Sequence, residues 1–541
     1  MDQKILNWNT PYLYRPDHPL WKFIIVLNVT YGGMLVLMDL LASVMVISQI
    51  QGAMAVDYDK IIWTARGVLF VLAITPLFGL RLARHFGYKK IFLIGSLIFL
   101  TGSIFTALSS NFYELLPSRL FTAVGGGLMS SLGLPIINHT IQEVENRRPI
   151  VTAYSSVSFG LGIALGMIMG GYFGQLGTWK MVFLSNLTLV PPLMLITILF
   201  HPETPRKKQP PYDILSLVSI TVFLLSLLFI VTQVKAEWNT LAWRSTFIIS
   251  CALTSVFSLI VFLWNSLTHP TPLFNLSLFL HRQFFLGCLC MLVVGFMVFG
   301  VTLATLGILQ NIYNYEWIRL GWFMSLVGFT YFAVGAIPSL TIRWINPRVF
   351  IYIGLGLIAA SCFLSQSITI QSDKYEIGAI VFLRSSGIAL SLGPIAVLSL
   401  SVFEGDAYAK GSSLINFIRM LGGVFGSALI QLISAYRMPF HSLRFGEMVN
   451  VESARYQQYF AELFTTITEK GSNPELGVHQ TRELIIEWIT SQAEIAAILD
   501  AEYVLGWVVI GVMVIFATAM VFRFWGKFIV RFFVPRRMRK I

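Results

Sequence analysis

The chain has 541 residues, 56% of them apolar or aromatic and only 12% charged, with a mean hydropathy of +0.74. A water-exposed globule carries about 25% charged residues, so this composition excludes one, together with a disordered chain, a collagen and a disulfide scaffold. The 38 Lys+Arg against 26 Asp+Glu give a net charge of +12, and where those charges sit decides whether an anionic partner is needed.

A bilayer is crossed by about 20 mostly apolar helical residues. Such runs occur fourteen times, at roughly 23–49, 61–80, 91–108, 115–137, 150–173, 181–200, 213–234, 246–268, 283–310, 320–340, 349–367, 378–400, 412–434 and 503–522. The runs are continuous rather than alternating, which favours helices over barrel strands. The first run lacks a small-residue cleavage site and reads as an uncleaved span. Cys251, Cys288, Cys290 and Cys362 all fall inside apolar runs with no CxxC spacing, so neither zinc nor a disulfide framework is supported.

Charge orients the chain. With the N-terminus in the cytoplasm, the inner segments hold 23 Lys+Arg and the short outer loops 6. This positive-inside bias predicts an even number of spans and both termini cytoplasmic, in a multi-pass cell (inner) membrane protein. The basic excess concentrates at 81–90, 206–208 and 536–540, so nucleic acid is not needed to explain it; the tail is placed to touch anionic lipid. The Pro- and charge-rich stretch HPETPRKKQPPY (201–212) and the weaker break at 269–282 divide the chain. The resulting parse is an N-terminal six-helix bundle at 1–200, a linker with an inserted helix pair at 201–282, and a C-terminal six-helix bundle at 283–541. The polar stretch 435–502 reads as a partly helical extracytoplasmic loop, with apolar residues at helical spacing from Thr481 to Leu499.

Few residues could carry chemistry. Asp39 is the one acidic residue read as lying well inside a span, with Asp213 at a helix edge. A carboxylate at that depth costs a few kcal/mol unless it faces a cavity, finds a cation or takes up a proton. It is therefore either a proton-coupling group or half of a structural ion pair. Four arginines also fall in spans, Arg66, Arg119, Arg384 and Arg419, and both Arg119 and Arg66 lie at a depth to partner Asp39. All eight histidines read as loop residues, which argues against a membrane-embedded haem or His relay. GxxxxGK[ST], HExxH and GxSxG are all missing, leaving ATP-driven transport and hydrolysis without a visible constellation. Gly162, Gly166, Gly170 and Gly174, with Gly171 alongside, make a bare face on the fifth span that suits a tight helix–helix seam.

Several segments, in order, resemble the fourteen-helix drug:proton antiporters of the major facilitator superfamily, the EmrB/QacA type. LMDLLASVMVISQI in the first span resembles LDxTIVNVALPxI, with Asp39 matching and Val44 and Ser48 replacing the usual Asn and Pro; Trp63 falls at the spacing of the family's second-helix Trp. LARHFGYKK resembles LaDRxGRkk, with Gly87, Lys89 and Lys90 matching and Arg84 and His85 standing where Asp and Arg are usual. RLFTAVGGG resembles RvxQGxGaG through Arg119, Gly125 and Gly127. GMIMGGYF and WKMVFLSN resemble GPxxGGxx…WRWxFxxN through Gly166, Gly170, Gly171, Trp179, Phe183 and Asn186, with Met167 in place of Pro. In the second half, LGILQNIYNYEWIRLG matches YLQxVxGYSxxxAG at Gln310 and Gly321. GSSLINFIRMLGGVFGSA matches AxGLxNxxRxLGGxxGxA at Asn416, Arg419, Gly422, Gly423 and Gly426, and ITSQAEIAAILDAEYVLG is similar to the QA…DAF stretch.

The resemblance implies an all-α membrane protein of the major facilitator fold, fourteen helices arranged 6 + 2 + 6, working by alternating access around a central cavity. It implies a non-enzymatic, proton-coupled exporter of drugs or metabolites, driven by the proton gradient without a cofactor. Asp39, Arg119 and Arg66 are the coupling candidates, and Arg384, Asn416, Arg419 and Gln310 the cavity candidates. Gly87, Lys89, Lys90, Gly125, Gly127, Gly162, Gly166, Gly170 and Gly171 are the gating and packing positions. One Asp against four span arginines favours anionic or neutral substrates, such as a siderophore or other acidic metabolite. A non-transporting sensor or assembly protein on the same fold is the alternative, suggested by Arg84, His85 and Met167; a multi-spanning membrane enzyme ranks third. The implied partners are the bilayer, a small-molecule substrate, and a periplasmic adaptor with an outer-membrane duct for which 435–502 is a candidate docking element.

Overall fold

The computed structural model describes residues 19–521, apart from 142, 205–212, 237, 270, 271, 273, 450, 451 and 470–472. The basic clusters at 206–208 and 536–540, and His18, lie outside the described residues. Every regular element among the described residues is helical. In hydrocarbon this is the arrangement that satisfies backbone N–H and C=O groups within one segment. Among the described residues, fourteen helices are long and apolar enough to cross a membrane: α1 Pro19–Met45, α2 Tyr58–Phe86, α3 Tyr88–Leu108, α4 Phe112–Thr140, α5 Glu145–Gln175, α6 Trp179–Phe200, α7 Ile214–Gln233, α8 Thr246–Thr268, α9 Arg282–Gln310, α10 Trp317–Thr341, α11 Pro347–Ser367, α12 Lys374–Leu400, α13 Gly405–Met448 and α14 Glu475–Ala519.

Local chemistry sets several helix ends. Asn111 caps α4 by accepting from Glu114 N at 3.0 Å, while the Glu114 carboxylate takes Ser110 N at 2.9 Å, a reciprocal cap. Between α2 and α3 the chain turns at Gly87, whose φ of +101° is accessible to glycine at little cost.

Glycines set the spacing around α5. A Cβ on Gly162, Gly166 or Gly170 would meet the carbonyl oxygens of Met34, Met38 and Ala42 on α1 at 2.9, 2.7 and 2.9 Å, so α5 and α1 touch backbone to backbone around Asp39. Gly174 does not join that face: its Cβ would meet the Trp317 ring of α10 at 2.7 Å. The reason is geometric, since a four-residue step overshoots one turn by about 40° and three steps carry the stripe to the neighbouring face. That second face of α5, with Gly160 and Gly171, packs along α10 against Phe332, Trp317 and Gly321. In α4, Gly125 lies against the backbone of α3 at Gly95 and Phe99, and Gly127 against Thr75 of α2.

Two seams, α5 on α10 and α2 on α13, join the first six helices to the last six. Hydrogen bonds cross the junction at both ends. At the basic end Arg84 donates to the Asp406 carbonyl at 2.9 Å and Arg343 to Asn146 Oδ1 at 3.0 Å. At the opposite end Gln310 donates to Ser48 Oγ at 2.7 Å and Arg66 to Gln431 Oε1. The pair α7–α8 packs outside, bound internally by Asn265 donating to Ser216 Oγ at 2.9 Å and to Asp213, and α8 is the least buried of the spans. Its contacts bridge the α2–α13 seam: Phe229 meets Trp63 with ring centroids 5.0 Å apart, and Trp243 Nε1 donates to the Tyr436 hydroxyl at 2.7 Å.

Two sequence-based expectations are corrected. Residues 435–502 are more helical than the expected partly helical loop, and the periodicity from Thr481 to Leu499 is part of a longer helix. Helix α13 continues to Met448, a short helix covers Ala454–Glu469, and the last helix begins at Pro474 and runs unbroken to Val521. From 478 to 505 it contains neither Pro nor Gly, so nothing interrupts the amphipathic phase that starts at Thr481. Nor are all the histidines in loops: His85, His139, His441 and His479 are helical, although none of them lies at the centre of a span.

A methyl group on Gly328 of α10 would run into the backbone of Ala164, whereas one on Gly307 meets nothing within 4 Å. Overpacking of this kind costs roughly 1–3 kcal/mol or more where backbone must move. Gly328→Ala is therefore expected to lower the unfolding temperature of the detergent-solubilised protein by several degrees, and Gly307→Ala to leave it unchanged.

Candidate functional site

The N-terminal half carries a dry ion pair. Asp39 on α1 and Arg119 on α4 are 2% and 1% exposed, and Arg119 Nη1 lies 2.7 Å from Asp39 Oδ2. Arg119 Nη2 donates to Ser43 Oγ at 2.8 Å, and its guanidinium carbon stands 4.8 Å from the centre of the Phe183 ring. The second carboxylate oxygen accepts from Asn186 Nδ2 of α6 at 2.8 Å, and Asn186 also donates to Ser103 Oγ of α3 at 3.0 Å. Three helices thus meet at one carboxylate, and α3 holds the Asn186 amide from behind. Of the two arginines at suitable depth, Arg119 is the one paired; Arg66 reaches across to Gln431 instead.

The C-terminal half holds a counterpart that the sequence reading missed. Glu502 on α14 is 2% exposed, and Arg384 Nη2 lies 2.5 Å from its Oε2. Arg384 Nη1 also donates to Thr305 Oγ1 at 3.3 Å. The expected start of the last span at 503 puts Glu502 just outside it, which leaves Asp39 as the one acidic residue well inside a span on hydropathy alone. The missed signal was Arg384 itself, a buried cation that required an anion.

The other cavity candidates are dispersed. Arg419 hydrogen-bonds to Asn416 Oδ1, and its guanidinium carbon lies 4.3 Å from the centre of the Phe159 ring on α5, at the junction of the halves. Gln310 sits at the rim. Lys89 donates to the Ile198 carbonyl at 2.8 Å, and Lys90 is exposed. Arg419, Gln310 and Lys89 are each hydrogen-bonded to their own neighbours rather than gathered round one point.

A cavity of about 880 Å³ opens instead at the basic end of the first six helices, between α1, α4 and α5. Lys22, Lys89, His139, Glu143, Tyr154 and His201 are among its lining residues. His201 caps α6; Asn28 Nδ2 lies 3.1 Å from its Nε2, and Phe92 stacks on its ring at 5.8 Å. The amide donates, so Nε2 is an acceptor and the ring is neutral. Burial, with Lys89 adding a smaller effect, holds the imidazole down to about 3. An unfolded histidine titrates near 6.5, so below that pH the unfolded chain binds a proton that the folded chain refuses, and stability falls with acidity. At pH 5 this costs about 2 kcal/mol at most. His201→Gln should flatten the decline of unfolding temperature between pH 7 and 5.

The ion pair makes a separate prediction. Removing one partner of a buried pair costs about 3–5 kcal/mol, while replacing both with apolar residues is often neutral. Arg119→Ala should destabilise the detergent-solubilised protein strongly, and the double substitution Asp39→Leu with Arg119→Met much less, by thermal unfolding.

Comparison with known proteins agrees with this architecture. The sequence profile of the Major Facilitator Superfamily matches residues 29–427. The multidrug export protein EmrB of Escherichia coli (strain K12) is 24% identical over 458 residues, spanning 84% of this chain and 85% of the relative. The colistin resistance protein EmrB of Acinetobacter baumannii is 22% identical over 450 residues, spanning 82% and 86%. The multidrug resistance protein Stp of Mycobacterium tuberculosis is 21% identical over 408 residues, spanning 75% and 74%. Among solved structures, a POT family transporter in complex with 5-aminolevulinic acid superposes with a TM-score of 0.60 at 14% identity, over 93% of this chain and 97% of that one. The proton:xylose symporter XylE gives a TM-score of 0.56 at 13% identity, over 92% and 96%. Fourteen apolar helices, two joined six-helix groups and this profile match lead to one conclusion: the chain is a multi-pass membrane protein that belongs to the Major Facilitator Superfamily.

Proposed function

We propose that this protein is a proton-driven exporter of small molecules, with Asp39 as its coupling carboxylate. The observation that carries the reading is the Asp39–Arg119 pair held by Asn186 across α1, α4 and α6. An ionised Asp39 is anchored by Arg119. A proton arriving from the outer side neutralises it, and the attraction that joins α1 to α4 is lost. Asn186 suits both states: its Nδ2 donates to the carboxylate, and after a flip its Oδ1, which now has no partner, accepts from the carboxylic acid. The backbone contact of α5 with α1 passes the change to the α5–α10 seam, where the halves rock. The relatives named for multidrug export and colistin resistance support export as the direction. The energy source is the proton gradient, with no cofactor required.

Substrate charge follows from the remaining cations. With Glu502 neutralising Arg384 and Asp39 neutralising Arg119, Arg66 and Arg419 have no carboxylate partner among the described residues. Arg419 lies at the junction of the halves, so anionic or neutral compounds fit better than dications. In a double-membraned cell, a periplasmic adaptor and duct would meet the projection formed by the ends of α13 and α14 and the helix Ala454–Glu469.

The test is flux in liposomes loaded with a pH-sensitive dye, using ethidium, chloramphenicol and fluorescein as cationic, neutral and anionic probes. The wild type should couple proton movement to at least one probe, with fluorescein or chloramphenicol favoured over ethidium. Asp39→Asn should lower coupled flux at least about tenfold, as loss of a group essential to the cycle does. Flux that survives in Asp39→Asn would reduce the pair to a structural contact.

A further inference from the structure

The two halves carry the same set of groups in different positions. In the first six helices, the arginine is on the fourth (Arg119, α4), the carboxylate on the first (Asp39, α1) and a neutral hydrogen-bonding side chain on the sixth (Asn186, α6). In the last six, the arginine is again on the fourth (Arg384, α12), but the carboxylate is on the sixth (Glu502, α14) and the neutral group on the first (Thr305, α9). Each centre keeps one cation and one anion, with Ser43 and Asn186 as neutral partners at the first and Thr305 at the second.

The second centre has room to change state. A cavity of about 10 Å³, close to the size of one water molecule, is lined by Thr305, Tyr331, Arg384 and Ser385. The Tyr331 hydroxyl, on a side chain 1% exposed, and Arg384 Nε have no protein partner. Two unpartnered polar atoms beside a space of that size, whose wall also carries Thr305 and Ser385 among apolar Met324, Val327 and Val381, make a candidate water site. Thr305 sits between two π-helical turns, Phe296–Val301 and Ile308–Ile312, a rare backbone form that is frequent at functional sites. An arginine released by Glu502 therefore keeps Thr305 and has a water to turn to.

We infer that Glu502 is a second proton-accepting carboxylate: the carboxylate takes a proton to become the neutral acid, and Arg384, still a cation, keeps Thr305 and turns its released nitrogen to the water. The inference rests on the proton-coupled reading of this transporter and extends it, so that each half has its own switch. The other groups facing the pair are few. Tyr331 on α10 and Cys362 on α11 are the nearby titratable side chains, and on α13 Arg437 and His441 are engaged by Asp500, at 2.5 and 2.7 Å.

The test uses infrared difference spectroscopy of the purified full chain in nanodiscs, titrated with pH and without any transported compound. Wild type should show two buried carboxylic-acid C=O bands that grow as pH falls. Glu502→Gln should lose one band and Asp39→Asn the other. If Glu502→Gln fails to fold, Glu502→Asp keeps the pair and should move one band and leave the other in place. A Glu502→Gln spectrum that superimposes on wild type over the pH range of the folded protein, or an unmoved band in Glu502→Asp, would overturn the inference. Such a result leaves the Asp39 reading intact, whereas absent probe flux with the Glu502 band present removes the exporter reading and leaves proton binding at Glu502 standing.

Discussion

An ionised side chain placed in hydrocarbon must be compensated within a few ångströms, and this constraint organises both halves of the molecule. The cost of an uncompensated charge there is several kcal/mol, comparable with the net stability of many folded domains. Asp39 and Glu502 are accordingly held by arginines and hydrogen-bonded neighbours drawn from separate helices. In each case three or more helices are tied to a point by groups that only make sense together. Replacing both partners with apolar residues would serve stability as well, so stability alone does not account for either centre.

The same helices are brought close enough for these contacts by missing side chains. On α5, one face of glycines lets α1 approach with Asp39 nearby, and the adjoining face lets α10 approach from the other half. One helix is therefore in backbone contact with the charged centre of one half and with the body of the other. Transmembrane helices gain little from hydrophobic attraction to one another in lipid, so close packing of this kind supplies much of their adhesion. The charge centre and the seam are mechanically one unit.

Much of this was legible in the sequence, and the failures have physical causes. Fourteen spans, the depth of Asp39 and the glycine spacing follow from hydropathy and helical geometry, which are local properties. The choice between Arg66 and Arg119 is not local: it depends on which helices become neighbours. Glu502 was missed by one residue because hydropathy averages across a window. The amphipathic residues before it lowered the local average and hid a helix that is continuous in phase from Pro474. The excess of arginine over carboxylate in the spans was itself a sign that an acid remained to be found.

The continuation of α13 beyond the level of Gln431 acts as a pointer. Seventeen residues separate Gln431, which touches Arg66 of the other half, from Met448 at the helix end, a distance of about 25 Å along the axis. A rigid-body turn of about 10° between the halves would displace that tip by about 4 Å. The tip is tied to α14 through Asp500, Arg437 and His441, so the two helices would swing as a single arm. Whatever touches that arm would feel an amplified copy of any turn between the halves.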